Sequence, residues 1–325
     1  MLASALLAAA LLTACGSSPS AAGTGAHRTT SSSRGAGGPT ATTGRPAPAT
    51  TTTVPATTTT TDQPGWTPVS TAGGSVAVDE QTFTEADGHV VTVYRFRAGK
   101  VHYNLHVGST DPPTGTAAIG PDNGAAIGPA EAPILVAAFN GGFESSTGAG
   151  GFEVAGTTLV PLVTGDASLV IDTNGAAHVG VWGQGLPLAG EPVASVRQNL
   201  APLVVGGVAS PQIADIAAWG ATLGGGSVVA RSALGEDAAG DLLYAASMQA
   251  VPSDLANALI DCGVVDAMQL DINPEWVQLA FAAVPGGPLS AGVPGQNRPA
   301  DQYQSGWTRD FVTVLAGGPA PATKG

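Results

Sequence analysis

Short runs of alternating apolar and polar residues, separated by glycine-containing turns, fill most of the sequence after residue 66. Glycine supplies 46 of the 325 residues, and this pattern is typical of strands joined by tight turns. Three stretches predict β-hairpins: HVVTVYRFRAGKVHYNLHV around Ala98-Gly99, SLVIDTNGAAHVGVW around Asn174-Gly175, and SVVARSALGEDAAGDLLYAAS with a turn between Glu236 and Gly240.

One segment has the periodicity of a helix. Ser253 is its expected N-cap, Asp254 lies in the first turn, and Gly263 is the expected stop. The apolar stripe at i, i+3, i+4 and i+7 consists of Leu255, Ala258, Leu259 and Cys262. We therefore expect Cys262 to be a buried apolar residue rather than a nucleophile.

The remaining periodic segments complete the prediction of the fold class. VVDAMQLDI, WVQLAFAAV and RDFVTVLAG each predict a further strand. Many strands and few helices, without a regular alternation of the two, predict an α+β fold. We expect it to be strand-rich, with mostly antiparallel mixed sheets and a few helices.

The N-terminus resembles a bacterial lipoprotein signal. Residues 1–15, MLASALLAAALLTAC, are apolar and too short for a membrane-spanning helix, which needs about 20 residues. Leu12–Cys15 matches the lipobox, in which the cysteine receives the lipid. No Lys or Arg precedes the apolar run, so an ordinary secreted chain or a plain apolar N-terminus is the alternative. The expected location is extracytoplasmic, anchored to the membrane through Cys15.

Composition divides the rest of the chain into three parts. Residues 16–66 consist mainly of Thr, Ser, Ala, Gly and Pro, which bury too little apolar area to offset the entropy of ordering. They predict a disordered stalk. Residues 67–317 predict the folded domain, and residues 318–325 a short disordered tail.

The charge of the predicted domain limits its partners. Residues 67–317 contain 23 acidic and seven basic residues, a net charge of −16. A nucleic-acid-binding protein needs a basic face, which this sequence does not supply. We therefore expect no nucleic-acid partner. Separately, we expect no cofactor and a monomeric protein.

A histidine pattern at residues 102–106 suggests a metal site but does not fit one. His102, Asn104 and His106 alternate along one predicted strand and share a face. Residues i and i+4 of a strand lie about 13 Å apart, so the two histidines cannot share an ion at about 2.1 Å. We expect a solvated sheet face there and no metal.

Three polar motifs at the ends of apolar runs are candidates for a functional site. Asn140-Gly141-Gly142 follows an apolar run; it is either a hairpin turn or a place where backbone approaches a ligand. Arg231 lies in an apolar strand and is either an ion-paired structural residue or an anion receptor. LDINPEW ends a strand with Asp271, Asn273 and Glu275. These three are either ordinary turn residues, or Asp271 and Glu275 are catalytic carboxylates with Asn273 between them.

Taken together, these motifs resemble the phosphodiester glycosidase family. The resemblance covers roughly residues 134–283 and rests on Asn140–Phe143, on Arg231–Gly235, on the Ser-led helix that ends in Gly, and on Leu270-Asp271. The segment VRQNLAPLVVGG resembles the ligand-side segment of the family. The ending Asp-Ile-Asn-Pro resembles a bacterial branch, whereas the usual ending is Asp-Gly-Gly-Gly-Ser.

The resemblance implies cleavage of the bond between a sugar's anomeric carbon and a phosphodiester oxygen. It implies a glycan or sugar-phosphate substrate, in cell-wall or exopolysaccharide glycans, without a cofactor. A non-catalytic surface lipoprotein that binds cell-wall glycan is the alternative.

The resemblance and the motifs also give a set of site residues. Arg231 is expected to bind the phosphate, and Asp271 to act as nucleophile, base or oxocarbenium stabiliser. Asn140 is expected to anchor a hydroxyl or phosphate, with Glu275 as a reserve catalytic carboxylate. The residues expected to bind substrate are Gly141, Gly142, Glu153, Arg197, Gln269, Asn273 and Trp276.

The lipobox generates a prediction about location. We expect Cys15→Ser to move the protein from the membrane fraction to the soluble extracellular fraction, because the lipid acceptor is lost. Cell fractionation with immunoblotting measures this. Ser17→Ala, just outside the lipobox, is the matched control and should leave the protein on the membrane; unchanged membrane association of Cys15→Ser would contradict the prediction.

Overall fold

The computed structural model describes residues 65–220 and 225–318. The predicted signal peptide with Cys15, all but the last two residues of the predicted stalk, and the tail after residue 318 lie outside the described residues. In the described part, nineteen strands and two short helices form the fold. The early strands are β1 Thr67–Ala72, β2 Ser75–Thr84, β3 Val90–Phe96, β4 Val101–His106, β5 Leu135–Asn140, β6 Phe152–Val154, β7 Thr157–Val160, β8 Ala167–Asp172, β9 Ala177–Trp182 and β10 Gly185–Leu186.

The second half of the domain supplies the other strands and both helices. They are β11 Val193–Gln198, β12 Val204–Val205, β13 Val208–Ala209, β14 Val229–Asp237, β15 Leu242–Ala250, α1 Pro252–Asp261, β16 Val264–Gln269, β17 Leu279–Ala282, β18 Leu289–Ala291, α2 Gln302–Ser305 and β19 Phe311–Ala316. Within the described ranges, 3₁₀ turns lie between these elements at Pro121–Asn123, Ala132–Ile134, Ser145–Thr147 and Ile216–Trp219.

The strands form three sheets. The eight-stranded sheet has the order β1-β2-β3-β15-β14-β16-β12-β13, the six-stranded sheet β10-β9-β8-β11-β6-β7, and the five-stranded sheet β18-β17-β5-β19-β4. Only the two-residue pair of β9 and β10 is parallel among the described strands. The predicted α+β class, strand-rich and mostly antiparallel, is confirmed.

Aromatic residues join the five-stranded sheet to the eight-stranded sheet. The ring of Phe139 in β5 lies 5.7 Å from that of Phe96 in β3 and 5.1 Å from that of Tyr244 in β15. All three belong to a core cluster that also takes Leu169 from the six-stranded sheet. The three sheets therefore share one apolar interior. The apolar residues of the alternating strand sequences supply its side chains.

Helix α1 covers the other face of the eight-stranded sheet. Leu255 and Leu259 pack with Val93 and Leu243 in a second core cluster. The predicted N-cap Ser253 is wrong: the cap residue is Val251, and the helix begins at Pro252. Proline suits the first helical position because the missing N–H would have no partner there.

The end of helix α1 places the thiol of Cys262. This residue is the C-cap and is half-buried against the second core cluster. Burial raises the pKa of the Cys262 thiol to about 12, so the reactive thiolate is not formed near neutral pH.

Two of the three predicted hairpins are confirmed and one is wrong. Strands β8 and β9 pair across Asn174-Gly175, and β14 pairs with β15. Strands β3 and β4 are consecutive but lie in different sheets, since β3 pairs with β2 and β15 whereas β4 pairs with β19. Both edges of β3 are thus occupied, and no hydrogen-bonding edge is left for β4.

The expected solvated face of β4 is wrong at one position. His106 is fully buried. Its Nε2 lies 2.9 Å from Glu131 Oε2 and its Nδ1 lies 2.8 Å from Gly124 O. His102 and Asn104 are only half-buried. The 3₁₀ turns that lie over β4 cover its C-terminal end, which a strand pattern alone does not reveal.

The first residues of the described domain contact strand β3. The ring of Trp66, which ends the predicted stalk, lies 4.0 Å from the guanidinium carbon of Arg95.

Among residues 65–220 and 225–318, no helix is both long and apolar enough to cross a bilayer.

The shared interior generates a stability prediction. We expect Phe139→Ala to lower the free energy of unfolding by about 3–5 kcal/mol, because it opens a cavity between two sheets. Urea unfolding followed by tryptophan fluorescence measures this. Val208→Ala, at a strand residue that is 68% exposed, is the matched control and should change the free energy by less than about 0.5 kcal/mol. A loss for Phe139→Ala no larger than that of the control would contradict the shared interior.

Candidate functional site

Ser232 in β14 joins two of the three motifs that the sequence singles out. Asn140 Nδ2 donates to Ser232 Oγ at 2.9 Å. Ser232 N and Oγ donate to the carbonyl oxygen of Asp271 at 3.0 and 3.2 Å. The end of β5 and the segment after β16 therefore meet beside β14, although Asn140 and Asp271 are far apart in the sequence.

The side chain of Asn140 is fully used by the protein. Its Oδ1 accepts from Tyr244 OH at 2.7 Å and from Gln278 N at 3.2 Å, and its Nδ2 also donates to Gly141 O at 2.8 Å. With the bond to Ser232, both amide hydrogens and both lone pairs have partners. Asn140 thus links the end of β5 to β14, to β15 and to the residue that precedes β17.

The two glycines allow close approach of the protein's own side chains. A Cβ at Gly141 would overlap the carboxylate of Asp310, and a Cβ at Gly142 would lie 2.9 Å from Arg197 Nη2. Their lack of a side chain is therefore required for the packing of Asp310 and Arg197 against the turn.

Arg197 and Asp310 form a buried ion pair at this turn. Arg197 Nε donates to Asp310 Oδ2 at 2.7 Å, and Arg197 Nη2 donates to Phe143 O at 2.6 Å. Arg197 Nη1 donates to the carbonyl oxygen of Gln198 at 2.6 Å. Both side chains are almost fully buried, and the pair connects β11 to the residues just before β19.

Arg231 is buried among neutral oxygens. Its Nε donates to Ala250 O at 3.1 Å and its Nη1 to Gln269 Oε1 at 3.0 Å; Nη1 and Nη2 also reach Trp219 O and Ser227 O at 3.5 and 3.3 Å. Burial lowers the pKa of Arg231 to about 10, against the charge of Asp254, which raises it. None of these bonds goes to Asn140 or Asp271, unlike those of the neighbouring Ser232.

Asp271 is a buried carboxyl group held by the backbone. Its Oδ1 accepts from Ile272 N at 2.7 Å and from Asn273 N at 2.8 Å. Burial raises its pKa to about 7, the two backbone hydrogen bonds oppose the rise, and the charge of Asp310 adds to it. A carboxyl group in this range is able to exchange a proton near neutral pH.

Arg309 is the cation beside Asp271. Its Nη2 lies 3.6 Å from Asp271 Oδ2 and donates to Gly142 O at 3.0 Å. Its Nη1 lies 2.9 Å from Glu144 Oε1 and 3.7 Å from Asp111 Oδ2. Its guanidinium carbon lies 4.2 Å from the centre of the Trp276 ring. We call Asp271, Arg309, Trp276, Glu144 and Asp111 the Arg309 cluster.

Arg309 keeps donors that the described residues do not use. The arginine is 3% exposed, yet Nε and Nη1 have no aligned hydrogen-bond partner among residues 65–220 and 225–318. The contact of Nη1 with Glu144 is thus an ion pair without hydrogen-bond alignment. Burial lowers the pKa of Arg309, and the charges of Asp310 and Asp111 raise it.

The other expected site residues lie around this region in different environments. Glu275 is half-buried and pairs with Arg298 at 2.7 Å, and Asn273 Oδ1 accepts from Glu275 N at 2.9 Å. Gln269 is buried and donates to Trp219 O at 2.9 Å. Glu153 lies on β6 and accepts from Thr158 Oγ1 at 2.7 Å. None of these four side chains has a described contact with the carboxyl group of Asp271.

Arg309 and Asp310 were missed in the sequence analysis. Arg309 is one of only seven basic residues between positions 67 and 317, and it is the first residue of the predicted strand RDFVTVLAG. An Arg-Asp pair at a strand start in an acidic chain was the available signal. Which carboxylates it faces depends on residues far away in the sequence, such as Asp111 and Glu144.

Two cavities lie away from the Arg309 cluster. One, of about 470 Å³, is lined by residues of β4 and of the Asn174 turn, including His102 and Asn104. The other, of about 270 Å³, lies beside His89 and Met248. Neither is lined by a residue of the Arg309 cluster.

Comparison with known proteins gives a fold relation only. No family model and no curated protein matches the sequence. Among solved structures, the zebrafish N-acetylglucosamine-1-phosphodiester alpha-N-acetylglucosaminidase catalytic domain, auto-inhibited by its pro-peptide, is 17% identical. The match covers 77% of this chain and 87% of that chain, with a TM-score of 0.47.

Two other solved structures match with lower scores. A hypothetical protein from Synechocystis is 12% identical, with 75% of this chain and 63% of that chain covered and a TM-score of 0.43. A putative exported protein from Burkholderia pseudomallei K96243 is 13% identical, with 75% of each chain covered and a TM-score of 0.38. All three relations are structural and distant.

The environment of Asp271 generates a pH prediction. The folded protein retains the Asp271 proton up to about pH 7, whereas an ordinary aspartate releases it near 3.8. Stability that depends on the protonated carboxyl is therefore present at low pH and lost as pH rises from about 4 to 7. Asp271→Asn keeps an acceptor and carries no charge. Relative to this variant, the free energy of unfolding of wild type should fall by up to roughly 4 kcal/mol between about pH 4 and 7.

Urea unfolding at a series of pH values measures the difference between the two proteins. The matched control is Asp301→Asn, at an exposed aspartate that makes no side-chain cap bond. This control should follow wild type at every pH. A constant difference between wild type and Asp271→Asn from pH 4 to 7 would contradict the raised pKa.

Proposed function

We propose that this domain is a glycoside hydrolase that cleaves sugar-1-phosphodiester linkages in extracytoplasmic glycans, with Asp271 as the catalytic carboxyl group. One observation carries the proposal. A buried carboxyl group with a pKa of about 7 lies 3.6 Å from a buried arginine, two of whose nitrogens have no hydrogen-bond partner in the part of the chain that the structure describes. A reactive carboxylate and a receptor for phosphate are the two groups that this cleavage requires.

The orientation of Asp271 supports a role at the reacting carbon. Its Oδ1 is held by two backbone N–H groups, of Ile272 and Asn273. The backbone of Asp271 is in turn held by Ser232 of the rigid strand β14. This leaves Oδ2 directed towards Arg309. A carboxylate fixed by backbone and strand contacts is positioned more accurately than one on a free loop.

Arg309 is the phosphate-binding cation in this proposal. The donors of Arg231 are already bonded to neutral oxygens of the protein, whereas Nε and Nη1 of Arg309 have no aligned partner among the described residues. A phosphate bound there would replace Glu144, whose side chain is 43% exposed, as the partner of Nη1. Arg231 then has a positioning role, because it holds Gln269 at the end of β16.

Trp276 completes the proposed site. Its ring lies against the Arg309 guanidinium at 4.2 Å and is half-buried. An indole ring offers an apolar face on which the C–H groups of a sugar pack. It would place the sugar next to the Asp271 carboxylate.

The chemistry assigns Asp271 its ionised form. A phosphate ester is a good leaving group and needs little protonation when the anomeric bond breaks. The carboxylate therefore acts as nucleophile, as base towards water or as stabiliser of the oxocarbenium ion, and each role requires the unprotonated form. We propose that lipidation of Cys15 holds this activity at the outer surface of the membrane.

A second function, glycan binding without catalysis, is favoured by the packing. Neither of the two cavities described above reaches the Arg309 cluster. The side chain of Asn140 and every guanidinium nitrogen of Arg197 are bonded within the protein. A protein of this kind would bind cell-wall glycan and release no product. The experiment that follows separates the two functions.

The proposed role of Asp271 generates an activity prediction. Incubation with a panel of sugar-1-phosphodiesters, including cell-wall fragments, should release reducing sugar. Asp271→Asn should lower kcat by about 10²–10⁴-fold, while kcat/KM of wild type should rise with pH through about 7 as the carboxyl group ionises. Arg309→Lys keeps the charge but loses the planar donors, and we expect about 10²-fold lower kcat/KM.

Asp301→Asn is the matched control and should retain full activity. Circular dichroism of each variant checks that losses are not caused by unfolding. Activity of Asp271→Asn equal to that of wild type would exclude the catalytic role. Binding of glycan by wild type without release of sugar would support the second function instead.

A further inference from the structure

A second group of charged side chains, none of which belongs to the Arg309 cluster, lies where the β2–β3 turn meets helix α1. Asp87 and His89 belong to the turn, and Asp254 lies in the first turn of α1. His89 Nδ1 lies 2.8 Å from Asp87 Oδ2 and 2.8 Å from Asp254 Oδ2. One ligand atom from each of the three residues lies within 4.8 Å of the others.

The hydrogen-bonding capacity of His89 does not match this arrangement. Nδ1 carries at most one proton in either charge state of the ring, yet it faces two carboxylate oxygens at equal distance. A proton on Nδ1 is aligned for a hydrogen bond with Asp254 Oδ2, and the contact with Asp87 Oδ2 is an ion-pair distance only. A divalent cation placed among the three atoms would be bound by the nitrogen and by both carboxylates.

The surrounding charge also lacks a matching cation. Among the described residues, His89 is the only ion-pair partner of Asp87 and of Asp254. Asp254 Oδ2 also accepts a hydrogen bond from Val251 N at 2.8 Å at the start of α1. Arg231 is close enough to interact with Asp254, but its donors go to neutral oxygens.

The donor set favours a transition metal over a hard cation. Imidazole nitrogen is a good ligand for zinc and for other first-row transition metals, whereas magnesium and calcium prefer ligand sets made of oxygen alone. Zinc bonds to nitrogen and oxygen at about 2.0–2.2 Å, so neighbouring ligand atoms of a tetrahedral site are about 3.3–3.6 Å apart. Each observed 2.8 Å separation would lengthen by roughly 0.5–0.8 Å when the ion binds.

We propose that Asp87, His89 and Asp254 form a binding site for a divalent transition metal ion such as Zn²⁺. The metal links the β2–β3 turn to the N-terminus of α1. Three protein ligands leave further coordination positions for water or for a ligand, and the 270 Å³ cavity lined by His89, Thr92, Ser247 and Gln249 provides space for them. This site is independent of the proposed glycosidase activity.

Isothermal titration of the metal-free full chain with Zn²⁺ tests the proposal. We expect one site per chain and a zinc-dependent rise in the thermal midpoint, because the ion binds the folded state alone. His89→Ala and Asp87→Asn should each weaken binding by at least about tenfold and abolish the thermal shift. His102→Ala, which removes an imidazole on β4, is the matched control and should bind like wild type.

Cobalt provides a spectroscopic test of the same ligands. Co²⁺ bound to wild type should give visible absorption of a site with a nitrogen ligand, and His89→Ala should lose it. Asp87 is 45% exposed, so Asp87→Asn tests the site even where His89→Ala fails to fold. Absence of binding to wild type, or equal binding by wild type and both variants, would overturn the proposal.

Discussion

The buried ion pair between Arg197 and Asp310 is the contact on which the arrangement of the candidate site depends. It joins β11 of the six-stranded sheet to the residue that precedes β19 of the five-stranded sheet. Its formation requires two residues without side chains in the turn after β5, because a Cβ at Gly141 or Gly142 would occupy the space of the pair. Breaking such a pair by removing one partner costs about 3–5 kcal/mol, since the other charge stays buried. This contact also fixes Arg309, the neighbour of Asp310, beside Asp271.

Three of the buried arginines in this acidic chain have three different environments. Arg197 is neutralised by Asp310, and Arg231 is bonded to neutral oxygens. Arg309 is surrounded by carboxylates and still has donors without an aligned partner among the described residues. A buried arginine whose donors are all used holds the structure together, whereas one with unused donors has capacity left for an anion. Because of this difference in hydrogen bonding, we propose Arg309 rather than Arg231 as the phosphate receptor.

Features that depend on residues close together in the sequence could be predicted, whereas features that depend on residues far apart in the sequence could not. The hairpin at Asn174-Gly175 follows from local turn geometry, and the sequence was sufficient for it. The strand pair expected around Gly99 was wrong because β15, about 150 residues later, occupies the edge of β3. Asn140 and Asp271 were correctly singled out as strand-end residues, but only the fold shows that both bond to Ser232.

The sequence by itself determined the fold class, two of the three expected hairpins and the position of the main helix to within two residues. These follow from apolar periodicity and turn residues, which act over a few positions. Tertiary structure alone decided that Arg231 is bonded to neutral oxygens, that His106 is buried against Glu131, and that Arg309 lies beside Asp271. The physical reason is that desolvation and charge pairing depend on which distant segments pack together. A local sequence pattern contains no record of those contacts.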